Sequence, residues 1–86
     1  MDAILKKSIY SEEYNAFRVL LRETRESLNL SQVELGKMLG KHQPFIARLE
    51  SGQRRLDVVE FMCMMRIMGV SSVDLLRKLD ERTSSL

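Results

Sequence analysis

Apolar residues recur along most of this chain at the spacing of one helical face, and strand-like alternation is missing from the sequence. The first such pattern follows Ser11, a suitable N-cap residue. Glu12 and Glu13 come next, where their negative charge favours the positive end of a helix. These positions predict a first helix over about 11–28.

A shorter helix is predicted to begin at Ser31 with a capping box. The hydroxyl of Ser31 can accept a hydrogen bond from the amide of Glu34, whose carboxylate can reach back to the amide of Ser31. Leu35 and the leucine four residues later form the buried side, and Gly36 leaves room for a neighbouring helix to approach closely. Gly40 ends this helix, because glycine tolerates the left-handed backbone of a tight exit.

The third predicted helix covers about 43–50. Pro44 suits its first turn, and Ile46 and Leu49 form its inner face. Two short helices joined by a glycine turn are the layout of a helix-turn-helix, whose second helix lies in the major groove of DNA. The pattern therefore predicts sequence-specific binding to double-stranded DNA.

Two more helices complete the pattern, one over about 57–68 and a short one from Ser72. A chain of 86 residues is large enough for a single core and too small for a second. We expect an all-α fold, a compact five-helix bundle over 11–80 with a central helix-turn-helix. An N-terminal arm at 1–10 and a flexible C-terminal tail at 81–86 complete the expected organisation.

The fourth predicted helix has more apolar surface than one core readily absorbs. If its inward side chains are Phe61, Met62 and Met65, three others point elsewhere: Val59, Cys63 and Met64. Those three would face either the N-terminal arm or a second copy of the chain. Because twofold pairing over a palindromic site multiplies a small number of base contacts, we expect a homodimer with half-sites about one DNA turn, roughly 34 Å, apart.

Charge is concentrated near the helix-turn-helix. The net charge is only +2, but residues 41–55 carry four basic side chains against one glutamate, a balance of +3. Residues 70–86 carry three basic and three acidic side chains, a balance of zero. The excess therefore lies where a phosphate backbone would pass, although a solvated basic face would give the same count.

Other function classes find little support in the composition. No apolar run is long enough to cross a bilayer and no signal-peptide core is present, so we expect a cytoplasmic protein without a membrane partner. The single cysteine, Cys63, falls in an apolar helix, where a packed neutral thiol is usual. Metal-ligand clusters, phosphate-binding glycine loops and paired carboxylates are not evident. We expect neither an enzyme nor a cofactor, metal or small-molecule ligand.

Four residues at the start of the third helix are candidates for contact with bases. Gln43 is the first of them, because its amide can donate and accept at once to adenine. Phe45 lies off the inner face and could contact a thymine methyl group or pack as a partly buried residue. Arg48 could reach a base or a phosphate, or remain solvated. His42 is either a groove residue or a plain helix-start residue.

Phosphate contacts are expected on both sides of these residues. The start of the second helix presents free amides to an anion, and Gln32 would add a side-chain hydrogen bond there. The loop after the third helix is polar and basic, with Gln53, Arg54 and Arg55 placed to hold the backbone beside the groove.

With these features the chain resembles the phage-repressor-type (Xre-like, lambda-repressor-like) helix-turn-helix family over roughly 17–79. The resemblance is carried by the following residues: Ser31, Gln32, Leu35, Gly36, Leu39, Gly40, Ile46, Leu49, Glu50 and Gly52. It implies a small transcriptional regulator of bacterial or phage type, a phosphate-binding glutamine at Gln32, and an ion pair between Arg25 and Glu50 that orients the third helix. The chain departs from the family at Lys41, where an apolar residue is usual. The stem of Lys41 could still cover the turn while its ammonium group reaches a phosphate.

The alternative is a protein-interaction module, or an antitoxin-like protein that binds a partner such as a toxin with the same fold. Such a module would carry apolar or acidic residues on the exposed side of the third helix. Here that side offers Gln43 and Arg48, with Lys41 before them, which favours DNA.

Overall fold

The computed structural model describes residues 11–85 and contains five α-helices within them. They are α1 (Glu12–Ser27), α2 (Gln32–Met38), α3 (Gln43–Ser51), α4 (Val58–Met68) and α5 (Ser72–Thr83). Residues 11–85 include no strand, and the predicted all-α fold is confirmed. The arm expected at 1–10 lies outside the described residues. Across 11–85, no helix has the length and apolar character that a membrane crossing requires.

Side-chain caps determine where most of these helices begin. Serine hydroxyls cap α1, α2 and α5, and an aspartate caps α4, each accepting from the amide three residues ahead. The predicted capping box at α2 is confirmed, since Ser31 Oγ accepts from the amide of Glu34 at 3.0 Å and Glu34 Oε1 accepts from the amide of Ser31 at 2.9 Å. Helix α3 differs, because its N-cap residue His42 makes no side-chain cap hydrogen bond.

The turn between α2 and α3 depends on two glycines. Gly40 has a φ of 67°, the left-handed conformation that its place after α2 predicts. A Cβ atom on Gly36 would lie 3.1 Å from the carbonyl oxygen of Lys41. The close approach predicted at Gly36 is present, and its partners are the backbone of the turn and the amide nitrogen of Gln43, the first residue of α3. The amide of Lys41 returns to the carbonyl oxygen of Gly36 at 2.7 Å, which draws the turn inward.

One apolar core lies between the helices. Its most deeply buried large side chains come from four of them: Leu21, Leu35, Ile46 and Met65. Burial of each such side chain contributes about 1.5–3 kcal/mol, so Leu35 and Ile46 hold the two short helices against the body of the fold. Phe17 meets Phe61 edge to face, with 5.4 Å between ring centroids, and joins α1 to α4.

Helix α4 is rotated relative to the sequence-based expectation. Its inward side chains are Phe61, Met64, Met65 and Met68. Met64 is 3% exposed and Met62 is 38% exposed, so the expected placement of these two residues is wrong. The reason is the i, i+3, i+4, i+7 spacing of the observed inward set, which is one complete helical face and leaves Met62 beside it. Val59 and Cys63 are exposed, as expected.

Helix α5 extends past residue 80, where the tail was expected to follow. It continues to Thr83, whose hydroxyl donates to the carbonyl oxygen of Leu79 at 2.7 Å. Arg82 forms an ion pair of 2.8 Å with Glu23 and so connects the end of α5 to α1. The first three residues of the segment 81–86 are therefore helical, and the helix packs through Leu75 into the core.

Candidate nucleic-acid interface

Helix α3 has one face in the core and one face in solvent. Three exposed residues form the outer face: Pro44, Arg48 and Ser51. Three partly buried residues form its edges: Gln43, Phe45 and Ala47. Pro44, Ala47 and Ser51 were not among the residues predicted to contact DNA, although the turn of about 100° per residue that exposes Arg48 brings them to this face or beside it. The outer face is narrow and free of carboxylates.

The orientation of α3 is held by a buried ion pair between Arg25 of α1 and Glu50 of α3. Arg25 Nε lies 2.6 Å from Glu50 Oε2 and Arg25 Nη2 lies 2.9 Å from Glu50 Oε1, while Arg25 Nη1 donates to the carbonyl oxygen of Leu30. Each residue is 8% exposed, which rules out the alternative of an exposed charge at Glu50. The hydrogen bonds that Arg25 donates to Glu50 raise the pKa of Arg25 above its ordinary value, so its guanidinium group stays charged although it is buried.

Two glutamines extend this pair to the surface. Gln32 Nε2 donates to Glu50 Oε1 at 3.0 Å, and Gln43 Nε2 donates to Gln32 Oε1 at 2.7 Å. The result is a continuous chain of side chains from Arg25 through Glu50 and Gln32 to Gln43. All four residues were predicted site residues, but the contact between the two glutamines was not predicted, because it depends on the packing of α2 against α3. The chain orients the amide of Gln43 before any ligand arrives.

A second arginine of α1 contacts the C-terminal end of α3. Arg18 Nη1 donates to the carbonyl oxygen of Glu50 at 2.6 Å, and Arg18 also donates to Asn15. A Cβ atom on Gly52 would lie 3.1 Å from Arg18 Nε, so the glycine that ends α3 also makes room for this arginine. A cation at the last carbonyls of a helix is favourable. Helical spacing predicts only the position of Arg18 on α1, and its contact with the end of α3 was missed.

Phe45 lies between basic side chains at one edge of α3. Lys41 Nζ is 5.3 Å from the centroid of its ring and Arg54 Cζ is 4.6 Å from it, both within cation–π range. The ring also packs against the core, so it is partly buried. These contacts place Phe45 beside the outer face and leave both of its expected roles compatible with the fold.

Arg54 is already engaged by a carboxylate. Arg54 Nη2 lies 2.9 Å from Glu60 Oε2, Arg54 Nη1 lies 3.2 Å from Glu60 Oε1, and Nη1 also donates to the carbonyl oxygen of Arg55 at 2.7 Å. Two hydrogen bonds lower the pKa of Glu60 below its ordinary value. The larger effect comes from Arg54 and the smaller from the amide of Asp57. The contact of Glu60 with Arg54 was not predicted, because the capping box at the start of α4 is a sufficient reason for a glutamate at this position.

The remaining predicted residues lie in exposed positions around α3. His42 precedes the helix, and Lys41 precedes His42 in the turn. Gln53 and Arg55 follow the helix in the loop before α4. The structure thus places basic or polar side chains at both ends of α3, with Arg48 between them.

Comparisons with known proteins agree with this geometry. Residues 21–75 match the family model described as helix-turn-helix. A solved structure, an XRE-family like protein from Pseudomonas syringae pv. tomato str. DC3000, is 39% identical to this chain and superimposes with a TM-score of 0.80. The match covers 92% of this chain and 96% of that one. No curated protein matches the sequence. The chain therefore belongs to the Xre-like helix-turn-helix family and is a DNA-binding regulator of that type.

Proposed function

We propose that this protein is a sequence-specific transcriptional regulator that inserts α3 into the major groove of double-stranded DNA. The observation that carries the proposal is the hydrogen-bonded chain that ends at Gln43, on the edge of an outer face without carboxylates. A glutamine held in one orientation can present a donor and an acceptor to an adenine. A freely rotating glutamine would lose side-chain entropy on making the same contact.

Base contacts are assigned to the first part of α3. Gln43 uses the oxygen and the second hydrogen of its amide, since the first hydrogen is given to Gln32. Arg48 stands on the outer face and reaches a guanine or a phosphate. Phe45 supplies apolar contact for a thymine methyl group at the edge of the helix, and His42 adds a polar contact at its start.

Phosphate contacts are assigned to residues that flank α3. Lys41 and Arg55 are exposed cations on either side of the helix, and Gln53 lies in the same loop as Arg55. Gln32 keeps one amide hydrogen after donating to Glu50, and that hydrogen is available to a phosphate oxygen. Contacts of this kind set the register of the protein on the duplex and carry no sequence information.

The regulator is proposed to act as a homodimer on a palindromic operator. The outer side of α4 exposes five apolar residues: Val58, Val59, Met62, Cys63 and Ile67. If two copies of α4 pack antiparallel about a twofold axis at Cys63, Val59 of one copy meets Ile67 of the other. This face is therefore complementary to itself in apolar surface.

The experiment that tests this function is selection from a pool of random duplex DNA with the full chain. We expect one enriched palindrome, with half-sites separated by about one DNA turn, because α3 is presented twice by a twofold dimer. Retention of random duplex with no enriched sequence would reduce the proposal to unspecific binding. No retention at low salt would overturn it in favour of a protein-binding module of the same fold.

A further inference from the structure

We propose that Arg54 is a positioning residue for base recognition and not a phosphate ligand. Held by Glu60, and together with Lys41, it fixes the ring of Phe45 at the edge of α3, where that ring contacts a thymine methyl group. The inference rests on the proposed function, since it assigns a role within the same DNA-binding face. It changes the role that the basic composition of the loop gives to Arg54.

The charge of the Arg54 guanidinium group is already paired. Of the five N–H groups of an arginine, three are committed here, two to Glu60 and one to the carbonyl oxygen of Arg55. Glu60 occupies the fork between Nη1 and Nη2, so only the N–H groups on the Nε side remain, and a phosphate bound there would lie near a carboxylate of the same charge. Arg55, in contrast, is exposed in the same loop.

Glu60 is a rigid anchor because it is itself held by the start of α4. Its amide donates to Asp57 Oδ1 at 2.7 Å, and its Oε1 accepts from the amide of Asp57 at 3.1 Å. The capping box thus fixes the carboxylate, and the carboxylate fixes Arg54. Two elements that are separate in sequence, the loop after α3 and the start of α4, are joined through one side chain.

Phe45 is the target of this arrangement. Arg54 Cζ is the closer of the two cations to its ring, at 4.6 Å, and Lys41 Nζ is at 5.3 Å. Phe45 also packs against the core and is only partly exposed, so the core and the two cations together limit the movement of its ring. Recognition of a methyl group depends on shape, and an aromatic ring held in one position discriminates thymine better than a mobile one.

The net charge of the Arg54–Glu60 pair is zero, and this gives the test its control. Replacing both residues with glutamine leaves the local charge unchanged and keeps an amide that can complete the capping box. For the Arg54→Gln/Glu60→Gln variant we expect the salt dependence of binding to match that of the unmodified protein. Preference for thymine at the base pair nearest Phe45 should fall about five- to tenfold. Thermal unfolding confirms that each variant is folded.

Two single variants complete the experiment. Arg55→Gln should reduce the slope of log affinity against log salt by about one and leave base preferences intact. Glu60→Gln should release Arg54, so that affinity for all duplexes rises and the slope steepens by up to about one. With Phe45→Leu as background, the double glutamine variant should change the base preference no further.

The opposite result is equally clear. If the Arg54→Gln/Glu60→Gln variant lowers the salt slope by about one, as Arg55→Gln does, and keeps the thymine preference, Arg54 is a phosphate ligand and the inference is wrong. If the unmodified protein enriches no sequence at all, the proposed function fails first, and the two failures are therefore distinguishable.

Discussion

Arg25 and Glu50 join α1 to the end of α3 through two parallel hydrogen bonds of 2.6 and 2.9 Å, although 25 residues separate them in the chain. Glu50 is shared, because the same carboxylate accepts from Gln32, which in turn accepts from Gln43. The pair therefore links the stability of the fold to the orientation of the residue proposed to contact a base. A charge buried in this way is costly to leave without its partner.

Removal of one member of this pair is expected to destabilise the protein strongly. Glu50→Leu should lower the free energy of unfolding by about 3–5 kcal/mol, because it leaves the guanidinium group of Arg25 buried and uncompensated. The double variant Arg25→Met/Glu50→Leu should recover most of this loss. Urea unfolding followed by far-ultraviolet circular dichroism measures both values.

The exposed pair Arg77–Asp74 provides the matched control. Its side chains are 63% and 64% exposed, so Arg77→Met should cost no more than about 0.5 kcal/mol. A Glu50→Leu variant as stable as Arg77→Met would contradict the structural role of the buried pair. The double apolar variant should bind DNA poorly even when folded, since Gln32 has lost its acceptor.

Gln43→Ala is expected to weaken binding to the selected operator by roughly 1–3 kcal/mol and to relax preference at one base pair of each half-site. Titration of labelled operator and of an unrelated duplex, at one salt concentration, measures the effect. Affinity for the unrelated duplex should stay nearly constant. An equal loss on both duplexes would show that Gln43 holds the backbone and reads no base.

The contact between the glutamines predicts that their effects are coupled. Gln32→Ala removes the acceptor that orients Gln43, so it should relax preference at the same base pair. The double variant should cost less than the sum of the two single variants, since each single change already breaks the chain. Additive costs would mean that the two side chains act independently on the DNA.

Acid is expected to destabilise the fold through two carboxylates of capping boxes. The hydrogen bond from the Ser31 amide lowers the pKa of Glu34, and the hydrogen bond from Arg54 lowers that of Glu60, both from an ordinary 4.5. Because the folded pKa is below the unfolded one, each group stabilises the fold fully above about pH 4.5. That contribution is lost as the pH falls through the lowered values.

Thermal unfolding between pH 7 and pH 3 tests this prediction. Glu34→Gln and Glu60→Gln retain the reach of the side chain and remove the titration, so each variant should lose less stability on acidification than the unmodified protein. The exposed Asp80, which caps no helix, supplies a control as Asp80→Asn. If all three variants show the same acid dependence, the capping carboxylates do not determine it.

The parts of this fold that could be predicted from the sequence are those set by local signals. The caps at Ser31 and Asp57 and the glycine at 40 act within one turn of their own positions, so their patterns can be recognised in the sequence. In α4 the spacing of apolar residues does not identify the buried face, because nearly every residue is apolar and several inward faces are compatible with the pattern. Packing against the neighbouring helices, including Phe61 against Phe17 of α1, selects the face that contains Met64.

The candidate site depends more on contacts between residues that are distant in the sequence. Its residue types and their order along α3 could be predicted, because exposure follows from helical spacing. The partners of those residues could not be, since Arg18 reaches Glu50 across 32 positions and Gln43 reaches Gln32 across 11. Arg54 illustrates the consequence: its charge predicts a phosphate contact, whereas its neighbour Glu60 is brought to it by the start of α4.

Self-association through α4 is the last expectation that the exposed apolar face supports. Val59 is 66% exposed on the outer side of α4, and Cys63 lies one turn further along the same side. Val59→Asp should therefore convert the proposed dimer to a monomer in sedimentation velocity, because it would bury a carboxylate against an apolar surface in each copy. It should leave thermal stability at low concentration nearly unchanged, since the side chain is outside the core.

Cys63 makes the position of the twofold axis measurable. If the axis passes at Cys63, mild oxidation of the dimer should join the two copies by a disulfide, which reduction reverses and Cys63→Ser abolishes. Val59→Asp should prevent this cross-link as well, because the two thiols no longer meet. A dimer that forms no cross-link would place the interface elsewhere. A protein that sediments as a monomer, both free and on the selected operator, would overturn the proposed homodimer.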